Sequence, residues 1–195
     1  MRPRFANLLL PLVAAVLAGC ATVRDTIAPG IVVPDADGHP VRPLAAKDAV
    51  AVVFVFLAND CPIANRAIPE LLRLEQDYAS RGVRFWPVHA GADESDASVR
   101  DHAKEFGLTT VPLRDPDLRL AHDLGARVTP TAVVVSPRGE VLYRGRIDDR
   151  YAALGQSRPE PTRRDLALAI EAVVAGKRPE PGETPAVGCR IGGTR

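Results

Sequence analysis

The sequence predicts an α/β domain with a central mixed β-sheet flanked by helices and an N-terminal hairpin added to it. Three observations carry this. Residues 49–57 (AVAVVFVFL) are an unbroken apolar run of strand length, the pattern of a strand buried on both faces of a largely parallel sheet. Helix-like and strand-like segments then alternate. A second apolar run, Thr131 to Ser136, is joined through Pro137-Arg138-Gly139 to Glu140–Tyr143, a β-hairpin that contributes antiparallel strands.

In chain order, Ile31-Val32-Val33, a turn over Asp35–Gly38, and Val41 to Leu44 read as the small hairpin. After the buried run, Asn59-Asp60 form a turn. A helix is expected from Pro62 to Ser80, with Ile68, Leu71, Leu72 and Tyr78 on one broad face and Gly82 as its stop. Val83 to His89 is the next strand. Val99, His102, Ala103 and Phe106 give a second helix, Ser95 to Phe106, its apolar stripe, which makes His102 a packed residue. Leu118 to Leu124 is a short helical piece. The last helix is expected near Thr162, capped through Asp165, with Leu166, Ile170, Val173 and Val174 buried. Beyond Gly176 a flexible tail rich in Pro and Gly carries Val187-Gly188-Cys189.

A chain of 195 residues, 46% hydrophobic and 25% charged, has material for one core, which argues against wholesale disorder. With 25 basic against 24 acidic residues and no basic block, nothing points to nucleic acid as a partner. Its three cysteines are too few for a disulfide scaffold and lack zinc-site spacing. An odd number also leaves at least one outside any internal pair.

Arg2 and Arg4 precede the apolar stretch Leu8 to Gly19, which is shorter than the roughly 20 residues a membrane helix needs. It ends in Leu17-Ala18-Gly19-Cys20, which resembles the lipobox of bacterial lipoproteins. The resemblance implies cleavage after residue 19 and a lipid on Cys20, which holds the protein at the membrane of the cell envelope. Ala21 after the anchor favours a periplasm-facing position on the outer membrane. Loss of residues 1–19 leaves 23 basic against 24 acidic groups, so lipid rather than charge supplies the attachment. The organisation expected is a signal segment (1–19), a lipidated tether (20–30), a domain (31–176) and a tail (177–195). The compartment permits disulfide chemistry.

Cys61 follows the buried strand and opens a helix. Unpaired N–H groups and the positive end of the helix dipole there stabilise a thiolate over a thiol. Pro62 fits the first helical turn, where a missing N–H costs nothing. On position alone a buried structural cysteine remains the alternative.

Two further motifs, Pro69 eight residues after Cys61 and Val128-Thr129-Pro130-Thr131 before the second apolar run, resemble the thioredoxin-like superfamily in its redoxin (peroxiredoxin-like) branch over residues 30–175. The resemblance implies a thioredoxin-like fold, a nucleophilic Cys61, and a cis-proline loop at Thr129-Pro130 that shapes a substrate groove. It also implies Cys189 as a distant resolving thiol. The small and apolar residues Ala186-Val187-Gly188 would let its tail fold back across the active-site face as an extended segment; a free tail thiol or an intermolecular disulfide is the alternative.

The departures are specific. Ala64 stands where a dithiol thioredoxin has its second cysteine. Phe54 and Ala58 stand where peroxiredoxins have Pro and Thr or Ser, and Pro130 replaces their arginine, with Arg127 out of register. A peroxide oxyanion then lacks its donors.

The function expected is an envelope thiol-disulfide oxidoreductase without a cofactor. It would act on exported protein thiols or disulfides, or on a small oxidant, and a thiol reductant would recycle it. The alternatives are a peroxiredoxin-like thiol peroxidase and a non-catalytic or copper-binding module. For the copper reading, Cys61 and Cys189 with His89 or His122 are the candidate ligands, although the C-x-x-x-C motif of copper chaperones is absent. Asp60 and His89, at strand ends, are candidates to tune Cys61. The charged stretch Tyr143–Tyr151 reads as a solvated loop, or else as a recognition rim.

Overall fold

The computed structural model describes residues 26–192; the expected signal segment and the lipid-bearing Cys20 lie outside them. The hairpin is present as β1 (Val33–Pro34) and β2 (Pro40–Val41), antiparallel. Its turn is held by Asp35, whose carboxylate accepts from the Asp37 and His39 amides at 2.9 and 2.8 Å.

The apolar run becomes β3 (Ala51–Leu57), with no solvent exposure at any of its seven positions. Its alternation divides two cores. Val53, Val55 and Leu57 pack with Ala64, Ile68, Leu71 and Leu74 of helix α1 (Pro62–Tyr78), while Val52, Phe54 and Phe56 face the hairpin side. Burying every side chain on both faces requires covers on both, and this fixes the layered architecture.

Helix α1 ends in a 3-10 turn, Ala79–Arg81, and Gly82 leads into β4 (Val83–Ala90). Pro87 interrupts β4, but the next strand pairs only from Val88 onward, so Pro87 has β3 on one side alone, a setting a proline tolerates. Helix α2 (Asp96–Glu105) is capped by Ser95, whose hydroxyl accepts from the Ser98 amide at 3.1 Å.

Strand β5 (Leu113–Asp115) is absent from the sequence expectations. Three residues, two of them charged, carry no strand periodicity. They are nevertheless buried, because each charge has partners. The Asp115 carboxylate accepts from the Leu120 and Ala121 amides at 3.1 and 2.7 Å and so starts helix α3 (Arg119–Leu124).

Next come β6 (Val128–Thr129), β7 (Thr131–Val135) and β8 (Val141–Gly145). The main sheet runs β5-β4-β3-β7-β8, parallel through its first three strands and antiparallel at β7 and β8. This is the mixed sheet the sequence predicts.

A small ribbon of β9 (Tyr151–Ala153) and β10 (Gln156–Ser157) precedes helix α4 (Asp165–Val174). Leu166, Ile170 and Val173 are buried on α4 as expected, while Val174 is half-buried.

Two expectations are corrected here. The last helix starts at Asp165 rather than near Thr162, and the two residues do not cap one another. Asp149 is buried and takes both Thr162 donors, the amide at 2.7 Å and the hydroxyl at 2.5 Å, as well as the Arg163 amide at 2.8 Å. Asp165 instead accepts from Arg146 and Arg163, both at 2.7 Å. The charged stretch 143–151 is likewise no solvated loop: Tyr143, Arg144, Ile147 and Asp149 are buried.

The tail is laid along β8. The Arg144 amide donates to Gly182 O and the Thr184 amide to Arg144 O, each at 3.0 Å. The Tyr143 hydroxyl donates to Arg146 O at 2.7 Å and lies 2.7 Å from the Thr184 hydroxyl, which therefore donates to it. Gly145 permits this approach, since a Cβ there would stand 2.2 Å from the Thr184 hydroxyl oxygen. From this anchor the chain reaches β11 (Cys189–Arg190), antiparallel to β6.

Phe54→Ala, emptying a fully buried site on β3, is expected to cost about 3–5 kcal/mol in urea unfolding. Leu168→Ala, at a half-exposed site on α4, should stay within about 0.5 kcal/mol of the parent.

Candidate active site

Strand β3 delivers Cys61 to the end of the sheet, where it is the N-cap residue of α1 with extended backbone and Pro62 in the first turn. Its sulfur accepts from the Ala64 amide at 3.5 Å and, as a thiol, donates to Thr129 O at 3.2 Å. Pro69 supplies no N–H inside α1, which leaves the Asn65 carbonyl without its usual i+4 donor. The Thr129–Pro130 peptide is cis, as is Glu180–Pro181 in the tail.

Thr129 belongs to β6, and β11 pairs against it with Cys189 opposite Thr129 and Arg190 opposite Val128. Cys61 and Cys189 are both free thiols, Cys61 wholly buried and Cys189 partly so. Residues 128 positions apart in the chain thus meet at one edge.

The electrostatics divide the two sulfurs. Burial alone would raise the Cys61 pKa, but hydrogen bonds from the Cys189 thiol, Thr129 and the Ala64 amide outweigh it and hold the thiol below its ordinary value. The Thr129 hydroxyl is buried without a partner while Cys61 is a thiol, and is therefore available to a thiolate. Cys189 moves the other way. Burial, then its hydrogen bond to Cys61, then the Cys61 charge push it up to about 11. One sulfur is prepared to ionise and the other to keep its proton.

Beneath the turn that carries Cys61 lies a partly buried polar network. The Glu94 carboxylate accepts from the Asn59 amide at 2.5 Å and contacts His89 Nδ1 at 2.8 Å. Asn65 of α1 donates to Asn59 O at 2.9 Å, and its side-chain oxygen meets His102 Nε2 at 2.9 Å. Arg114 secures the far side by donating to His89 O at 3.1 Å, to Asp96 at 2.9 Å and to Glu94 O. The loops after β3 and β4 are thereby tied together directly below the N-terminus of α1.

The expected site residues fall into two groups. Cys61, Pro62, Thr129, Pro130 and Cys189 converge at the β6 edge. His89 is fully buried and engaged with Glu94, Asp60 is exposed at the turn, and Pro69 is on the exposed side of α1. His122, a candidate copper ligand, is exposed on α3 beside Asp123. Among the described residues no three His, Cys, Asp or Glu side chains gather to hold a metal ion. Sequence reasoning missed Glu94, Asn59, Asn65 and Arg114. One signal was available for the first two: loops that follow neighbouring parallel strands emerge at the same end of a sheet.

Residues 22–153 match the Redoxin family. The chain belongs to it. Among curated proteins it is 25% identical over 111 residues to the thiol-disulfide oxidoreductase ResA of Halalkalibacterium halodurans, a match that spans 57% of this chain and 61% of that protein. A crystal structure of a hypothetical protein from Sinorhizobium meliloti 1021 superposes with a TM-score of 0.76 at 26% identity, covering 90% of this chain and 97% of the other. A thiol:disulfide interchange protein of the thioredoxin family from Chlorobium tepidum superposes with a TM-score of 0.55 at 20% identity, over 80% and 98% of the two chains. The fold of this redoxin is thioredoxin-like, as the cysteine-helix and Thr-Pro motifs imply.

Two outcomes are expected from this geometry. Alkylation of Cys61 should reach half its maximal rate below the ordinary thiol value of 9.0. The midpoint should rise in Cys189→Ala, which removes a donor, and rise less in Cys189→Ser, which keeps one. Mass spectrometry of alkylation against pH reads both.

The second concerns His102, whose folded pKa is lowered from 6.5 to about 4 by burial and then by nearby His89. As pH falls from 6.5 towards 4, the unfolded chain takes up a proton that the folded chain refuses. Stability should be fully present above that window, decline by about 1–3 kcal/mol through it, and level off below. His102→Gln should flatten this dependence in urea titrations at each pH.

Proposed function

We propose that this redoxin is a thiol-disulfide oxidoreductase of the cell envelope, with Cys61 as nucleophile and Cys189 as resolving thiol. The observation that carries the reading is the pairing of Cys189 with Thr129, the residue whose carbonyl contacts the Cys61 thiol. The lowered Cys61 pKa and the raised Cys189 pKa support the division of roles, because the thiolate is the attacking species in disulfide exchange. The likeness to a thiol-disulfide oxidoreductase supports the reaction class.

In the first step the Cys61 thiolate attacks one sulfur of a client disulfide. The client S–S bond breaks, a Cys61–client disulfide forms, and the other client sulfur leaves as a thiolate that takes up a proton. Cys61 then carries no charge, so two of the three influences that raise Cys189 disappear. Cys189 loses its proton more readily and attacks the Cys61 sulfur. The client's second thiol is released and a Cys61–Cys189 disulfide remains. A thiol reductant returns the pair to two thiols, and run in reverse the same sequence oxidises a client.

Supporting groups hold the nucleophile in place. The Glu94–Asn59 and Asn65–His102 contacts hold the turn, and Thr129 lies against the sulfur. The lipobox-like Leu17-Ala18-Gly19-Cys20 supports attachment at the membrane through lipid on Cys20, in a compartment where disulfides persist. Exported proteins bearing cysteines are the corresponding clients.

Oxidation of the purified protein should join Cys61 and Cys189 in one chain, read by non-reducing peptide mapping. With a disulfide-bonded protein substrate, Cys61→Ser should abolish turnover. Cys189→Ser should accumulate the mixed disulfide, visible as a mass adduct on Cys61. Free Cys189 after oxidation would remove it as resolver. Oxidation of Cys61 within seconds by micromolar peroxide, with no reaction on protein disulfides, would make the protein a peroxidase instead.

A further inference from the structure

The tail strand covers the thiol that the proposed reaction needs. Cys61 has 0% exposure, and on its open side stand Cys189 and the β11 backbone, seated on the Val128–Thr129 edge. A further bond from the Ile191 amide to Arg127 O at 3.0 Å extends this seat. No client sulfur can reach Cys61 while the strand is in place. The tail must leave, and its departure bares the backbone groups of a short strand that another extended segment can then pair with.

The way the tail fits specifies what can replace it. Gly188, immediately before the cysteine, lies flat against the neighbouring peptide. A Cβ there would stand 1.9 Å from the Thr129 carbonyl oxygen, 2.6 Å from its carbon and 3.2 Å from Pro130 N. These are backbone atoms at the cis peptide, with no flexible side chain to yield. Gly188 has no left-handed backbone angle, so glycine is required here by space rather than by conformation. One residue earlier, Val187 borders a shallow hollow that it shares with apolar residues such as Ile63 and Ile147 and with the charged residues Arg66, Arg146, Asp148 and Arg150. The seat therefore takes a residue without a side chain, then the cysteine.

We propose that the Val187–Arg190 strand is a built-in substitute for substrate, and that the client it gives way to is an extended segment with a Gly-Cys sequence. The inference rests on Cys61 being the nucleophile of the proposed reaction and adds the selectivity at its mouth. Reduced protein, with the Val187–Arg190 strand held by its short ladder while Thr184 stays anchored on β8, admits such a segment. The Cys61–Cys189 disulfide ties the tail down and closes the site until a reductant reopens it.

The test uses full-length Cys189→Ser protein and a peptide of residues 183–192 whose cysteine is joined in a disulfide to thionitrobenzoate. Attack by the Cys61 thiolate on the peptide sulfur forms the protein–peptide disulfide and releases the coloured thionitrobenzoate anion. The peptide carrying Gly188→Ala is expected to react about tenfold to hundredfold more slowly, the penalty of forcing a methyl group into a filled site. In a second measurement, Gly188→Ala in the protein itself should unseat the tail and speed alkylation of Cys61 by a small reagent. Equal rates for the two peptides together with unchanged alkylation overturn the inference and leave Cys61 standing as a nucleophile. If neither the peptides nor a small aromatic disulfide react with Cys61, even with Gly188→Ala added, the oxidoreductase reading falls and the inference with it.

Discussion

Burial of β3 on both faces is the constraint from which the rest of the molecule follows. A strand with no exposed side chain needs a hydrophobic layer on each side, so α1 and α4 cover one face while the hairpin and α3 cover the other. The same strand ends where its hydrogen-bonding partners end, and the chain turns there into α1 with Cys61 at the cap. The sulfur is thus placed at the end of a wholly buried strand, in a local setting where backbone N–H groups lack internal partners.

That placement alone leaves a thiol in a desolvated environment, which opposes ionisation. Contacts from elsewhere in the chain reverse the balance. Thr129 comes from β6 and Cys189 from β11, and both act on Cys61; Cys189 does so from a tail pinned to β8 through Thr184 and Tyr143. The anchor on β8 therefore bears on the environment of Cys61. It sets the distance from which β11 starts and so the register that puts Cys189, rather than Gly188 or Arg190, opposite Thr129. A partly buried polar layer below, from Arg114 through Glu94 to Asn59, ties this turn to the loop after β4.

Much of the architecture was legible because its signals are local. The run at 49–57, the amphipathic stripe of α1 and the Pro-Arg-Gly turn between β7 and β8 each carry a period or a turn chemistry. Strand β5 does not, since Leu113-Arg114-Asp115 is a strand only because β4 lies beside it and partners satisfy its charges. Thr162 and Asp165 have the spacing of a reciprocal cap, yet the buried Asp149 competes for Thr162 and wins it. The tail was legible only in part: Ala186-Val187-Gly188 suit a docked extended segment, but the contacts to β8 and β6 that hold it leave no local signal.

By itself the sequence determined the two-faced strand, the cysteine at its end, the Thr-Pro loop and the presence of a third cysteine far downstream. These depend on residue order over a few positions, where hydrophobic period and backbone restriction act directly. Tertiary structure alone decided that Cys189 lies against Thr129, that Gly188 fits where no side chain can, and that His89 and Glu94 brace the turn instead of standing open. Those outcomes depend on which segments pack together across the fold, and long-range packing leaves no period in the chain for a reader to find.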